Sequence, residues 1–142
     1  MEIDMRSVSP ARLDGVDALL HQAVDRALEE ANGVRRQGDA LTVDVTLIGN
    51  RPSGAMDDDH PFVLRAMAAT DAVGGIPSLS RSSTDSNVPI ALGIPAVTIG
   101  GGGVGVGAHS LHEFFINHNG PAGVKRALLL VLAQAQISAP VS

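Results

Sequence analysis

The stretch from Arg81 to Glu113 holds the densest set of chemically able side chains in the sequence. It runs RSSTDSNVPIALGIPAVTIGGGGVGVGAHSLHE, with hydroxyls at Ser82, Ser83 and Thr84, a carboxylate at Asp85 and an imidazole at His109. Six glycines fall in the eight residues Gly100 to Gly107. Three chemistries compete for this set. A glycine-rich loop after a strand can aim backbone N–H groups at a phosphate. A P-loop, however, continues into Gly-Lys-Ser/Thr, and a dinucleotide loop runs straight into a helix. This loop runs into Ala108-His109-Ser110 instead. A Ser–His–Asp hydrolase could draw on Ser82 or Ser83, Asp85 and His109. Against it, no G-x-S-x-G elbow exists, and Ser and Asp crowded within four positions suit the capped start of a helix. The third chemistry is metal binding. His109 follows a loop at the carboxyl end of an expected buried strand, the edge where open α/β sheets hold ligands, and neutral imidazole is a good zinc ligand. Taken alone, a loop histidine is more often an ordinary surface residue.

The elements that must position these groups follow from periodicity. Ile3 to Ser7 alternates apolar and polar residues and predicts a short strand. Ser9-Pro10 starts a helix over residues 10–32, with Leu13, Val16, Leu20, Val24, Ala27, Leu28 and Ala31 as its apolar stripe and Gly33 as its stop. Leu41, Val43, Val45 and Leu47 alternate with polar residues and predict a strand from Leu41 to Ile48. Residues 50–60, with Pro52, Gly54 and the acid run Asp57-Asp58-Asp59, mark a boundary between a unit at 1–49 and another at 50–142. The plain account of the acid run is a solvated loop that caps the next helix.

Beyond the boundary, Pro61 to Val73 predicts a helix with Val63, Met67 and Leu64 or Thr70 facing inward. Ile76 to Ser80 is a short strand, and Thr84 or Asp85 caps a helix ending at Leu92. Ile94 to Ile99 is a continuous β-branched run, expected of a strand buried on both faces. Pro121 to Ala135 is the last helix, with Val124, Leu128, Val131, Leu132 and Ala135 as its stripe. Alternating helices and buried strands predict an α/β architecture with a mostly parallel sheet.

Composition narrows the function. The 142 residues are 44% hydrophobic and 18% charged, which is globular composition. With three Phe, no Trp, no Tyr and a net charge of −5, the chain lacks both aromatic stacking platforms and a basic stripe, so no nucleic-acid partner is expected. The absence of cysteine excludes disulfides and cysteine-held metal, and fits a cytoplasmic location. The longest apolar stretch, Ala127 to Ala133, is too short to span a bilayer, and Glu2 and Asp4 stand where a signal peptide carries positive charge. No membrane partner is expected.

The order of the motifs resembles one family. Ser-Ser-Thr-Asp-Ser-Asn, then Gly-Ile-Pro-Ala-Val-Thr-Ile-Gly, then a glycine loop into Gly-Ala-His-Ser-Leu-x-Glu is similar to the dinuclear zinc metallopeptidases and deacylases. These include acetylornithine deacetylase, succinyl-diaminopimelate desuccinylase, aminoacylase, glutamate carboxypeptidase and peptidase T. The front of the chain, with Glu-Ile-Asp-Met-Arg-Ser, a helix and an alternating strand, resembles the second half of that family's lid or dimerisation domain. Asn50-Arg51-Pro52 resembles the return to the catalytic domain. The resemblance spans about Ile3 to Ala133.

The resemblance implies half of a ferredoxin-like lid (strand–helix–strand) at 1–49. It implies the carboxy-terminal part of a mostly parallel αβα catalytic sheet at 50–142. It implies that His109 is the last metal ligand of a two-zinc site and that Arg6 binds the substrate's carboxylate. The glycine loop, at Gly102, would let backbone approach the substrate. Glu113 would order the His109 loop, and Thr84 and Asp85 take a capping role. His112 departs from the acidic residue or Asn common at that place.

A larger departure is what the sequence lacks. The family's first His ligand, bridging Asp, general-base Glu and two further carboxylates come from an amino-terminal part, and no His-x-Asp pair occurs here. Glu29-Glu30 sits on the polar side of the first helix. The expectation is therefore a fragment of a zinc-dependent hydrolase of amide bonds, acting in complete form on a small peptide or N-acyl amino acid, and inactive by itself. The competing expectation is a non-catalytic oligomerisation or binding module derived from that family. Either way, bare strand edges and an uncovered helix stripe in the 1–49 unit predict a homodimer through that unit. If the protein is split, the missing amino-terminal portion is a further partner.

Overall fold

The computed structural model describes residues 1–137, so the last five residues of the expected second domain lie outside the described part. It is mixed α/β. Among the described residues the order is helix α1 (Pro10–Gly33), helix α2 (Pro61–Ala72), helix α3 (Asn87–Ala91), strand β1 (Val104–Val106), strand β2 (Phe114–Ile116) and helix α4 (Gly120–Gln134).

Each long helix begins where local chemistry dictates. The Ser9 hydroxyl accepts the Arg12 N–H at 3.4 Å and Pro10 occupies the first turn of α1. At the other end, the Asn32 side chain makes two bonds to the Leu41 backbone, Leu41 N–H to Oδ1 at 2.8 Å and Nδ2 to the Leu41 carbonyl at 3.0 Å. Leu13, Leu20, Val24, Leu28 and Ala31 are half-buried, whereas Val16 and Ala27 of the expected stripe are exposed. α1 approaches no other helix or strand among the described residues.

The core lies between α2 and α4. Ala66 and Ala69 of α2 meet Leu130 of α4, and Phe62, Val97 and Ile99 pack against them. Small alanines let the two helices approach closely. Arg65 Nη1 donates to Gln134 Oε1 at 2.9 Å across the same pair. On α2, Val63 is buried as expected, Met67 and Thr70 are half-buried and Leu64 is exposed. On α4 most of the expected stripe faces outward, with Val124 70% and Val131 63% exposed, whereas Leu132 is half-buried. α4 carries Leu128, Leu129, Leu130, Val131 and Leu132 in succession, so it is apolar around its circumference, and periodicity could not pick the covered side.

The sheet differs from expectation. β1 and β2 form a two-stranded antiparallel hairpin with Val104 opposite Ile116 and Val106 opposite Phe114. Part of the expected glycine-rich loop is thus a strand. Ile3–Ser7, Leu41–Ile48, Ile76–Ser80 and Ile94–Ile99 are not strands. The physical reason is pairing. A period-two pattern defines a face, but a strand also needs a hydrogen-bonded neighbour. Among the described residues none of these segments finds one.

The surface area measures the consequence. A folded monomer of 14.5 kDa exposes about 6,900 Å², and its fully unfolded chain about 21,000 Å². This chain exposes 11351 Å². Its helices are formed, but much of its apolar surface has no cover.

Candidate functional site

The hairpin sets the position of His109. β1 and β2 hold residues 107–113 as a connecting loop. Gly107, at φ +70, reverses the chain. Its carbonyl accepts both the Ser110 N–H at 3.1 Å and the Ser110 hydroxyl at 2.7 Å. The Glu113 N–H returns to the Ser110 carbonyl at 3.1 Å, and the Glu113 carboxylate accepts the His109 N–H at 3.1 Å. These bonds hold His109 at φ +65, left-handed backbone that non-glycine residues seldom adopt, histidine more often than most, and that Asn119 and Gln136 also adopt in this chain. The His112 N–H is absorbed by the Ser110 hydroxyl at 3.2 Å.

Gly102 sits at φ +82 against the start of α4. A Cβ there would lie 2.9 Å from the Gly120 carbonyl oxygen and 3.1 Å from the Gly123 nitrogen. A Cβ on Gly123 would collide with the Gly101 carbonyl, and one on Gly103 with the Phe115 ring. The glycines therefore serve backbone-on-backbone packing of the loop against α4. A cleft of about 280 Å³ runs beside them, bounded by Gly74, Gly75, Gly102, Gly103, His118 and Arg126. Arg126 Nη2 donates to the Gly100 carbonyl, and its Nε is buried with no hydrogen-bond partner among the described residues. Sequence reasoning passed over Arg126, which stands beside Lys125 on α4 and carries no local signal that sets it apart.

Arg6 lies elsewhere. Its Nε and Nη2 both donate to Asp4 Oδ2, at 2.8 and 2.6 Å, and both side chains are well exposed. The hydrogen bond from Arg6, reinforced by its charge, holds the Asp4 carboxyl below its ordinary value and raises the guanidinium in turn. Among the described residues no hydrogen bond or ion pair joins Arg6 to Gly102 or His109.

Neither Thr84 nor Asp85 caps α3 as expected: its N-cap is Ser86, with no side-chain cap hydrogen bond. Thr84 Oγ1 accepts the Ser86 N–H at 3.3 Å and lies 2.8 Å from Thr98 Oγ1, which is also 2.7 Å from Ser86 Oγ. Asn87 Oδ1 accepts the Thr84 N–H at 3.0 Å, so this segment shapes the entry to α3. Asp85 is exposed, 3.9 Å from Arg51. In the acid run the Asp57 carbonyl accepts the His60 N–H at 3.0 Å and Asp58 pairs with Arg81 at 3.6 Å. The cap of α2 is His60, whose Nδ1 accepts the Phe62 N–H at 3.1 Å. Glu30 pairs with Arg26.

A zinc site takes at least three protein ligands. No cluster of three or more His, Cys, Asp or Glu side chains able to hold a metal occurs among the described residues. The residues present do not fit a zinc ion by themselves. No helix is long and apolar enough to cross a membrane among the described residues. Compared with family models and with curated proteins, the chain matches none.

Proposed function

We propose that this chain is the carboxy-terminal part of a dinuclear zinc metallopeptidase or deacylase, comprising half a lid at 1–49 and the end of the catalytic sheet at 50–142. In that reading His109 is one metal ligand and Arg6 forks onto the carboxylate of a small peptide or N-acyl amino acid. The loop at Gly102 offers backbone to the substrate. The observation that carries the reading is the treatment of His109. A tight loop fixes a histidine in costly backbone at the tip of a hairpin, with its N–H tied to Glu113. Such outliers concentrate where a side chain must be aimed. Because one imidazole is no zinc site, the other ligands and the general base belong to the missing part, and the chain alone is inactive.

Two experiments test this. In the first, residues 1–137 replace the matching carboxy-terminal portion of an acetylornithine deacetylase, in one polypeptide. The chimera should hydrolyse N-acyl amino acids and lose that activity with His109→Ala. In the second, the chain alone, with zinc, cobalt or manganese, should show no hydrolysis above blank. It should bind zinc no tighter than about millimolar, since a single imidazole supplies only a few kcal/mol. Micromolar binding lost in His109→Ala, or turnover by the chain alone lost in Arg6→Ala, would overturn the reading.

A second reading, a non-catalytic assembly module, is favoured by the isolation of α1. Among the described residues the helix contacts no other helix or strand, and it leaves Val16 48% and Leu19 63% exposed on one side. In both readings the 1–49 unit closes a two-fold homodimer. A stable monomer at micromolar concentration by light scattering would contradict that.

A further inference from the structure

In sequence the glycine run lacks the helix that follows a phosphate loop, yet the fold brings one against it in space. The hairpin returns the chain so that Gly120 and Gly123 of α4 pack on Gly101 and Gly102. The cleft of about 280 Å³ opens along this junction, and its walls are rich in donors. The N–H groups of Gly102 and Gly103, residues with φ of +82 and +68, donate to no backbone carbonyl among the described residues. Arg126 brings a guanidinium whose Nε is buried without a protein acceptor among the described residues. That guanidinium makes no ion pair among the described residues either. His118 adds an imidazole, which offers at least one N–H in either protonation state. Asn119 adds an amide that makes no cap bond to α4. No Asp or Glu lines the cleft among the described residues.

We infer that this cleft binds a phosphate group, held by the side chains of Arg126 and His118 and by the backbone N–H groups of Gly102 and Gly103. A buried donor without an acceptor is costly, and arginine can only donate, so the Arg126 Nε calls for an acceptor from outside the chain. Its charge, with no carboxylate beside it in the cleft, makes that acceptor an anion. The start of a helix as long as α4 adds positive partial charge on the same side. The donors stand on separate walls: the glycine loop, the turn between β2 and α4, and α4 itself. A tetrahedral oxyanion directs oxygens to several walls at once, whereas a carboxylate holds two in one plane. The chain as a whole carries a net charge of −5 and repels anions, so their capture here is a local property. The inference goes beyond the metal-site reading. Neither His109 nor Arg6 lines this cleft, and Arg126 and His118 have no part in that reading.

The test titrates the 142-residue chain with inorganic phosphate at low ionic strength, read by calorimetry and by amide chemical shifts. Saturable 1:1 binding with a Kd of about 1 mM or tighter is expected, with the Gly102 and Gly103 amides among those that move most. Arg126→Gln should weaken binding by about tenfold or more, and His118→Ala, at an exposed position, by about threefold. Lys125→Gln removes the adjacent charge, which does not line this cleft, and should change Kd by less than about twofold. Arg126 also holds the Gly100 carbonyl, so if Arg126→Gln does not fold, His118→Ala and the shifts of the native chain decide the matter. Acetate should bind more weakly than phosphate by about tenfold. Glycerol phosphate separates the two sources of the group. Tighter binding than phosphate assigns the site to a phosphorylated small molecule, and weaker binding assigns it to the free ion. The inference is overturned by a titration that does not saturate by about 20 mM phosphate, or by shifts that spare Gly102 and Gly103. It is equally overturned by undiminished binding in His118→Ala, by equal loss in Lys125→Gln and Arg126→Gln, or by acetate binding as tight as phosphate. The role of His109 is untouched by these outcomes and is tested separately by the chimera.

Discussion

The carboxylate of Glu113 accepts the backbone N–H of His109 at 3.1 Å, so the hairpin loop is clasped by a side chain four residues further along. A hydrogen bond to a charged acceptor contributes about 1.5–3 kcal/mol, less at an exposed site such as this. Glu113→Ala should speed amide exchange at His109 by about tenfold, with little change in global melting. Exchange unchanged in the variant would mean that the Gly107–Ser110 bonds hold the loop without Glu113.

The backbone of His109 leads to a second expectation. At φ +65 a residue with a side chain bears a conformational cost that glycine avoids. His109→Gly should stabilise the chain by about 1 kcal/mol in thermal unfolding. The same change should abolish activity of the chimera. A variant that is less stable would show that the imidazole packs favourably where it stands.

Asp4 and Arg6 give a pH-dependent expectation with a definite sign. The hydrogen bond from Arg6 depresses the Asp4 pKa in the folded chain below 3.8. Stability from the pair is therefore fully present above pH 3.8 and is lost as pH falls through the depressed value. Carboxyl chemical shifts should titrate below 3.8 in the native chain and return to about that value in Arg6→Ala. An identical titration in both would show that the pair does not persist in solution.

His60 caps α2 by accepting the Phe62 N–H. His60→Ala removes that acceptor and should cost about 1 kcal/mol, while His60→Asp restores a cap and places a negative charge at the helix start. Thermal melts of the two variants should bracket the native chain. Equal melting of His60→Ala and the native protein would discount the cap.

The glycine loop separates packing from conformational freedom. Gly123→Ala forces a methyl into the Gly101 carbonyl and should cost about 1–3 kcal/mol. Gly105, in β1, has open space around its Cβ position and ordinary φ, so Gly105→Ala should be neutral or slightly stabilising. Denaturant midpoints of the pair test the distinction. Equal effects would refute loop-on-helix packing.

How much of this was legible in the sequence depends on whether a signal was local. Ser9-Pro10 and the spacing of Leu13, Leu20, Val24 and Leu28 gave α1 almost to the residue, because a helix satisfies its own backbone. The strands at Leu41–Ile48 and Ile94–Ile99 were legible as patterns and absent as ladders, because a ladder needs a neighbour that no local pattern supplies. The hairpin was missed for the opposite reason. The glycines around Val104 and Val106 hid a strand that Phe114-Phe115-Ile116, three strong strand formers in a row, could have signalled. For the candidate site, the resemblance supplied His109, Arg6 and the link from Glu113 to the His109 loop. The left-handed backbone of His109, the His60 cap and the buried Nε of Arg126 were not legible, since each depends on where the chain turns.

The unpaired Leu41–Ile48 segment has a colloidal side. Leu41, Val43, Val45 and Leu47 are all exposed in a run with no Pro and strong strand propensity, which is the composition of a cross-β fibril seed. Stacked in register, such strands would repeat every 4.7–4.8 Å along the fibre. Asp44 stands in the middle of the run, 3.3 Å from the Thr46 hydroxyl. In the stack its carboxylates would form a column of like charges at that spacing. Asp44, the one charged residue of the run, is thus placed where a gatekeeper residue would oppose stacking of this segment while it has no strand partner among the described residues.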